Sequence, residues 1–202
     1  MDAMIAGVDE VGRGALFGPV VAGAVILTES VAEELRQQGV TDSKKLRPLQ
    51  REHLYAVILR SAIDCRVGVG SVHEIDRINI LQASLLAMYR AIARLSPQPT
   101  LCLVDGNQRI SQLSIPQQCI IQGDQTSTHI AAASIIAKVW RDRLITRLAN
   151  RFQGYDLATN KGYGTPKHRA ALERMGPTSQ HRLSFKTCAQ AVLSYETSVD
   201  LV

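Results

Sequence analysis

The sequence predicts an α/β fold, on three observations. Its 202 residues are 46% hydrophobic and 20% charged, the balance of one globular domain with a real core. Only 4% are aromatic, so that core must be filled by Val, Ile, Leu and Ala, as where helices pack on a sheet. Short apolar runs that end near glycine also alternate with longer stretches of helical period.

In chain order, residues 5–8 read as a short buried strand. Residues 12–18 form a glycine-punctuated turn into the apolar run 19–27, a second strand, so a hairpin is expected. Residues 31–38 suit a short helix, 41–47 a loop and 49–63 an amphipathic helix. Residues 65–72 alternate as a strand does, and 80–95 return to a helical period. Residues 100–104 form a nearly continuous apolar strand with Asp105 and Gly106 at its end, and 119–121 another, followed by Gly123 and Asp124. The longest helical pattern covers 126–152, with Ala132, Ile135, Ile136, Val139, Leu144, Leu148 and Phe152 along its apolar side. Residues 154–166 read as a loop and the rest as helix, split near Gly176 and Pro177. No repeat, low-complexity tract or linker interrupts the chain. One domain over 1–202 is expected, with residues from about 154 as a helical, substrate-binding portion.

A formal charge of +5 is modest, but its placement is uneven. Residues 138–186 hold eleven Lys or Arg and three Asp or Glu, leaving twelve basic and fifteen acidic residues elsewhere. Such polarity suits a polyanion along one face, or simply a solvated helical surface. Arg143, Arg147 and Arg151, four residues apart, form one basic ridge. Cys65, Cys102, Cys119 and Cys188 are scattered without metal-ligand spacing and read as reduced core thiols. The N-terminus carries no basic segment followed by an apolar one, and no apolar run is long enough to span a membrane, so a cytoplasmic protein is expected.

Asp9 with Glu10, Asp105 and Asp124 all stand at, or a glycine beyond, the end of an apolar strand, where ligand sites of α/β sheets gather. If those strands are neighbours, four carboxylates converge and cannot all stay ionised without a cation. Oxygen-only ligation suits Mg²⁺ or Mn²⁺ rather than zinc, and a pair of such ions serves in-line displacement at phosphodiesters. One Asp before a Gly is ordinarily a turn or cap residue; the set of three strand ends points to metal. Neighbouring strand residues face opposite ways, so Asp9 and Glu10 can share a site only if the pleat breaks there, which the glycines downstream would allow.

GVDEVGRG at 7–14, DSKKL at 42–46, VDG at 104–106, GD at 123–124, AAASIIAK at 131–138 and KGYGT at 161–165 occur in an order and spacing that resembles prokaryotic type 2 ribonuclease H, ribonuclease HII. The resemblance runs from Gly7 to about Phe185. It implies a ribonuclease-H-like mixed central sheet flanked by helices, with a C-terminal helical extension. It also implies that Asp9, Glu10, Asp105 and Asp124 are catalytic and hold Mg²⁺ or Mn²⁺, two ions during catalysis. The implied activity is hydrolysis of the RNA strand of RNA/DNA hybrids and incision 5′ to ribonucleotides embedded in DNA, leaving a 3′-hydroxyl and a 5′-phosphate.

In that family the turn Gly12, Arg13 and Gly14 approaches the ribose hydroxyls, and Tyr163 reads the 2′-hydroxyl at an RNA-to-DNA step. The residue types suit those roles. A glycine turn lets backbone groups come close to a sugar, the 2′-hydroxyl separates RNA from DNA, and a tyrosine offers a stacking face and a hydroxyl. Lys44 and Lys45, in a loop, are candidate phosphate contacts. His73 reads as a helix-entry or surface residue, and His129 stands close enough to Asp124 in sequence to influence a metal site. Gln122 replaces a Lys common in the family, removing one phosphate contact. The tail after Phe185 shows no aromatic sliding-clamp peptide, and the absence of an apolar surface stripe suggests a monomer.

Three rival readings have specific weaknesses. The spacing Gly12, Gly14, Gly18 is one residue too long for a dinucleotide fingerprint. A non-catalytic nucleic-acid-binding module leaves the acids unexplained. Another nuclease of the same superfold has no use for Tyr163 or the Gly12–Gly14 turn.

Overall fold

The computed structural model describes residues 4–199. Five strands, β1 (Ile5–Val11), β2 (Val20–Leu27), β3 (Asp64–Gly70), β4 (Leu101–Asp105) and β5 (Gln117–Ile120), form one sheet in the order β3-β2-β1-β4-β5. The sheet is mixed. β1 pairs antiparallel with β2, from Ile5 opposite Leu27 to Val11 opposite Val21, and parallel with β4, which pairs parallel with β5. The helices are α1 (Glu29–Gln37), α2 (Pro48–Ser61), α3 (Val72–Ile92), α4 (Gly123–Thr126), α5 (Thr128–Ala149), α6 (Leu157–Asn160), α7 (Pro166–Met175) and α8 (Lys186–Val199). This is the α/β sheet-and-helix architecture expected, with the hairpin in place. No helix of the described residues is long and apolar enough to cross a membrane.

The chain divides into two compact units. One comprises Met1–Val11, Val21–Val69 and Ser84–Trp140, the other Gly12–Val20, Gly70–Ala83 and Arg141–Val202.

All eight residues of β2 are buried, which is why that strand reads as an unbroken apolar run. The core of the first unit joins Val25 and Leu27 to Leu35, Leu54, Ile58, Ile135, Ile136 and Val139. α5 lies on β1 backbone to backbone: a Cβ on Gly7 would stand 1.9 Å from the His129 carbonyl oxygen. Glycine at 7 is therefore what brings the start of α5 down onto the strand that carries Asp9. The second unit has its own core of Phe17, Ile145, Tyr155, Leu172 and Cys188, with Phe17 edge-on to Phe152 at 5.3 Å. The four cysteines are free thiols.

The structure departs from the sequence reading at several element ends. β1 runs three residues past Val8, because Asp9, Glu10 and Val11 stay paired with Gly23, Ala22 and Val21. The helix expected from 80 begins at Val72, where the Ser71 hydroxyl and the Glu74 carboxylate cap reciprocally. It is interrupted at Asn79 (φ 67°), whose side chain caps the N–H groups of Leu81 and Gln82. The pattern over 126–152 divides at Ser127 into α4 and α5. The loop 154–166 contains one helical turn, α6, bounded by left-handed Asp156 and Lys161. Asp200–Val202, the end of the tail read for a clamp peptide, lie outside the described residues.

Candidate active site

Parallel pairing of Val8 with Val104 puts the next residues of the two strands, Asp9 and Asp105, side by side where β4 ends. Asp9, Glu10 and Asp105 present carboxylate oxygens that all lie within 4.8 Å of one another. No break in the pleat was needed, contrary to expectation, since β1 keeps its register with β2 through both acids. Asp9 instead leans forward along its strand, its Oδ1 accepting the Glu10 N–H at 2.7 Å, and Glu10 has the longer stem. Asp105 is aimed by the Gly123 N–H, which donates to its Oδ1 at 2.7 Å.

Crowding shows in the electrostatics. Burial first, then the charges of Glu10 and Asp105, push the Asp9 carboxyl well above the usual carboxylate range, against hydrogen bonds from Ser134 and the Glu10 N–H. Asp124 stands apart from the close triad. Its Oδ2 lies 3.5 Å from the Lys44 ammonium, and burial, with Asp42 and Asp105 nearby, raises its pKa despite that cation. For Lys44 burial opposes the charge, but Asp124, Asp9 and Asp42 outweigh it and hold its pKa above the ordinary value. Lys44 thus stands beside the carboxylates with most of its side chain exposed, while Lys45 is exposed on the same loop.

That loop is built rather than loose. Buried Asp42 accepts the Lys44 N–H at 2.9 Å, Ser43 and Ser134 share a hydroxyl–hydroxyl bond at 2.9 Å, and Arg51 donates to the carbonyls of Ser43 and Leu46. Asp42, Arg51 and Ser134 were not singled out from sequence. Ser134 was legible, as a lone hydroxyl inside the apolar run AAASIIAK. His129 faces elsewhere: it bonds the Leu27 backbone near Glu29, and burial lowers its pKa. His73 is exposed in the first turn of α3, and Gln122 is exposed with a left-handed backbone (φ 54°).

The other predicted contacts lie in the second unit. Gly12 is buried, whereas Arg13 and Gly14 are exposed. Tyr163 is half-buried, pairs across an isolated bridge with Ala15, and lies under the Arg141 guanidinium at 5.6 Å. Its carbonyl accepts from His168 Nδ1 at 2.9 Å, and His168 Nε2 lies 3.1 Å from His181 Nε2. Because the Thr178 N–H donates to His181 Nδ1, the tautomers follow: His181 carries its proton on Nε2 and His168 on Nδ1. An added proton would set N–H against N–H.

Burial, then the neighbouring His168, accordingly pushes His181 down to about 3. The neutral pair stabilises the fold above the unfolded histidine range near 6.5, and that contribution is lost as pH falls toward about 3. We expect urea stability to fall between pH 6.5 and 5 by about 1.4 kcal/mol per pH unit for each such proton, and His181→Gln to flatten the slope. An unchanged slope in the variant would remove the pair as its source.

Comparison with known proteins gives a consistent result. The family profile described as Ribonuclease HII matches residues 6–188. Ribonuclease HII of Acaryochloris marina is 62% identical over 189 residues, covering 94% of this chain and 96% of that one. The crystal structure of ribonuclease H2 from Pyrococcus horikoshii superposes with TM-score 0.80 at 28% identity, covering 95% of this chain and 98% of that one. Ribonuclease HII of Archaeoglobus fulgidus, solved in complex with PCNA, superposes with TM-score 0.79 at 30% identity, covering 93% and 96%.

A mixed sheet of this order, with acids gathered where β1 and β4 run side by side, is that of a ribonuclease-H-type nuclease. The chain belongs to the ribonuclease HII family. Its activity is endonucleolytic cleavage of the RNA strand of RNA/DNA hybrids, and its substrate is nucleic acid.

Proposed function

We propose that the enzyme also incises DNA duplexes 5′ to an embedded ribonucleotide, using Asp9, Glu10, Asp105 and Asp124 to hold two Mg²⁺ or Mn²⁺ ions. The observation that carries this reading is the triad of carboxylates within 4.8 Å, with Asp9 driven well above its ordinary pKa by burial and by the other two. An oxygen-only set held at such electrostatic cost fits a hard divalent cation. Bound there, such ions supply an activated water and charge compensation at the leaving oxygen.

The chain's own residues do the rest. Gly123 and Ser134 orient Asp105 and Asp9, and Lys44 and Lys45 meet backbone phosphates. Gly12, Arg13 and Gly14 approach the ribose, and Tyr163 reads its 2′-hydroxyl. In the reaction the water oxygen bonds to phosphorus, the P–O3′ bond breaks and the leaving oxygen takes a proton, giving a 3′-hydroxyl and a 5′-phosphate. Arg143, Arg147 and Arg151, all exposed on or just beyond α5, supply a non-specific electrostatic track. The enzyme works as a monomeric catalytic domain in the cytoplasm, in ribonucleotide removal and RNA primer processing.

The test is cleavage of a duplex bearing one ribonucleotide with Mg²⁺, with Mn²⁺ and with chelator, beside an all-DNA control. Cutting 5′ to the ribonucleotide with either ion, and none with chelator, is expected; cutting in chelator or of the control would refute the reading. Tyr163→Ala should reduce the preference for the ribonucleotide about tenfold or more while the protein still folds. An unchanged preference takes Tyr163 out of recognition.

A further inference from the structure

Two arginines are wholly buried in the second unit, Arg141 on α5 and Arg182 in the segment before α8. Every hydrogen bond they are seen to donate ends on a backbone carbonyl. Arg141 donates from Nε to Pro19, from Nη2 to Phe17 and from Nη1 to Lys161, at 3.0, 3.0 and 2.9 Å. Arg182 donates from Nε to Gly18 and from Nη1 to Arg13, at 2.9 and 2.8 Å, and its buried Nη2 has no partner. Four of these five carbonyls belong to residues 12–19, the connection between β1 and β2 that begins with Gly12, and the fifth opens the KGY segment.

The turn has no sheet ladder of its own at these positions. Its N–H groups are taken by other loops, Leu16 and Phe17 by the Gly162 carbonyl and Gly18 by that of Gln180. Its carbonyls are drawn inward by the two guanidinium forks and by the Arg182 N–H, which donates to Leu16. Arg141 alone reaches both segments, and its planar group also covers the Tyr163 ring. A Cβ on Gly12 would fall 2.2 Å from Arg141 Nε, so the glycine there makes room for the fork.

This arrangement is costly as pure architecture. Burial, and then the charge of Arg141, hold Arg182 down to about 9, and burial lowers Arg141 as well. Two like charges taken out of water destabilise a core that apolar side chains of similar volume would fill more favourably. What apolar residues cannot supply is a rigid set of donors that fixes several carbonyls at once.

We propose that Arg141 and Arg182 are positioning residues that set the preference for ribose by holding the Gly12 turn and Tyr163 in one preformed arrangement. The inference rests on the reading that this turn and Tyr163 contact the ribonucleotide. Lysine keeps the charge but donates from a single nitrogen, so it cannot span carbonyls that Arg141 reaches from three separate nitrogens.

The test compares kcat and KM for a duplex with one ribonucleotide and for a long hybrid in Arg141→Lys, Arg182→Lys and Asp76→Ala, together with Mn²⁺ binding by calorimetry. Asp76 accepts the N–H groups of Leu183 and Ser184, next to Arg182, and offers a milder perturbation should the arginine variants fail to fold. The expected result is a fall in kcat/KM of about tenfold on the single ribonucleotide, a smaller one on the long hybrid, and Mn²⁺ affinity unchanged. Asp76→Ala should shift the ratio the same way by less. Parallel losses on both substrates, whatever the melting temperature, would reduce the arginines to scaffold and overturn the inference. If Tyr163→Ala shifts the ratio and the arginine variants do not, this inference alone fails. If Tyr163→Ala leaves the ratio untouched, the recognition reading fails and carries the inference with it.

Discussion

Asp9→Asn is expected to abolish hydrolysis and, at the same time, to raise the melting temperature of the ion-free protein. Asp9 is buried against Glu10 and Asp105, and its folded-state pKa lies well above its ordinary value. The sign follows from linkage. A carboxyl whose pKa is raised by folding favours the fold while it is protonated, and becomes a penalty as pH climbs through the raised value. Near neutral pH without divalent ions the native chain carries that penalty, and Asn removes it with almost no change of shape. The gain should read as about 2–4 °C per kcal/mol of repulsion relieved. The same change deletes a charged oxygen from the proposed metal site, so the rate should fall by about a thousandfold or more, with hybrid binding kept. Divalent ions should then raise the melting temperature of the wild type more than that of the variant. A variant that cleaves normally, or melts lower than wild type in chelator, contradicts this account of the site.

Alanine at two glycines should give opposite outcomes. At Gly7 the new Cβ would meet the His129 carbonyl oxygen at 1.9 Å and its carbon at 2.0 Å. Both are backbone atoms and cannot rotate away, so α5 must lift from β1, taking with it the Ser134 hydroxyl that bonds Asp9. A loss of about 3 kcal/mol or more, roughly 10 °C in melting temperature, is expected, with activity falling at every temperature. Gly14 is exposed, its φ lies outside the left-handed region, and a Cβ there meets nothing within 4 Å. Folding alone places no demand for glycine at that position. Gly14→Ala should therefore stay within about 0.5 kcal/mol of wild-type stability yet, on the proposed reading that the Gly12–Gly14 turn meets the ribose, lose about tenfold or more in cleavage. A stable, fully active Gly14→Ala would show that nothing approaches there.

The fold and the site were unequally legible in the sequence. β2 stood out because burial on both faces leaves a continuous apolar run, β4 because four apolar residues precede Asp105, and α5 because its buried side repeats. The C-terminal end of β1 was not legible, since Asp9 and Glu10 are polar although they remain in the ladder opposite Gly23 and Ala22. Asp124 was grouped with the other acids by its position after a strand, yet the structure sets it against Lys44, on a loop eighty residues earlier in the chain. The basic segment 138–186 read as surface charge, but Arg141 and Arg182, two of its eleven cations, point inward. A hint was present at Arg141, which stands one helical turn from Ala137 and Ile145, both buried, whereas Arg143 and Arg147 do not.

By itself the sequence determined the α/β class and the family motifs, because these depend on residue type and on local periodicity. Tertiary structure alone decided which acids lie within 4.8 Å, how Asp9 and Glu10 meet without a break in the pleat, and which arginines are spent on backbone carbonyls. The physical reason is that inter-strand register and long side chains join residues far apart in the chain, and no local pattern encodes that pairing.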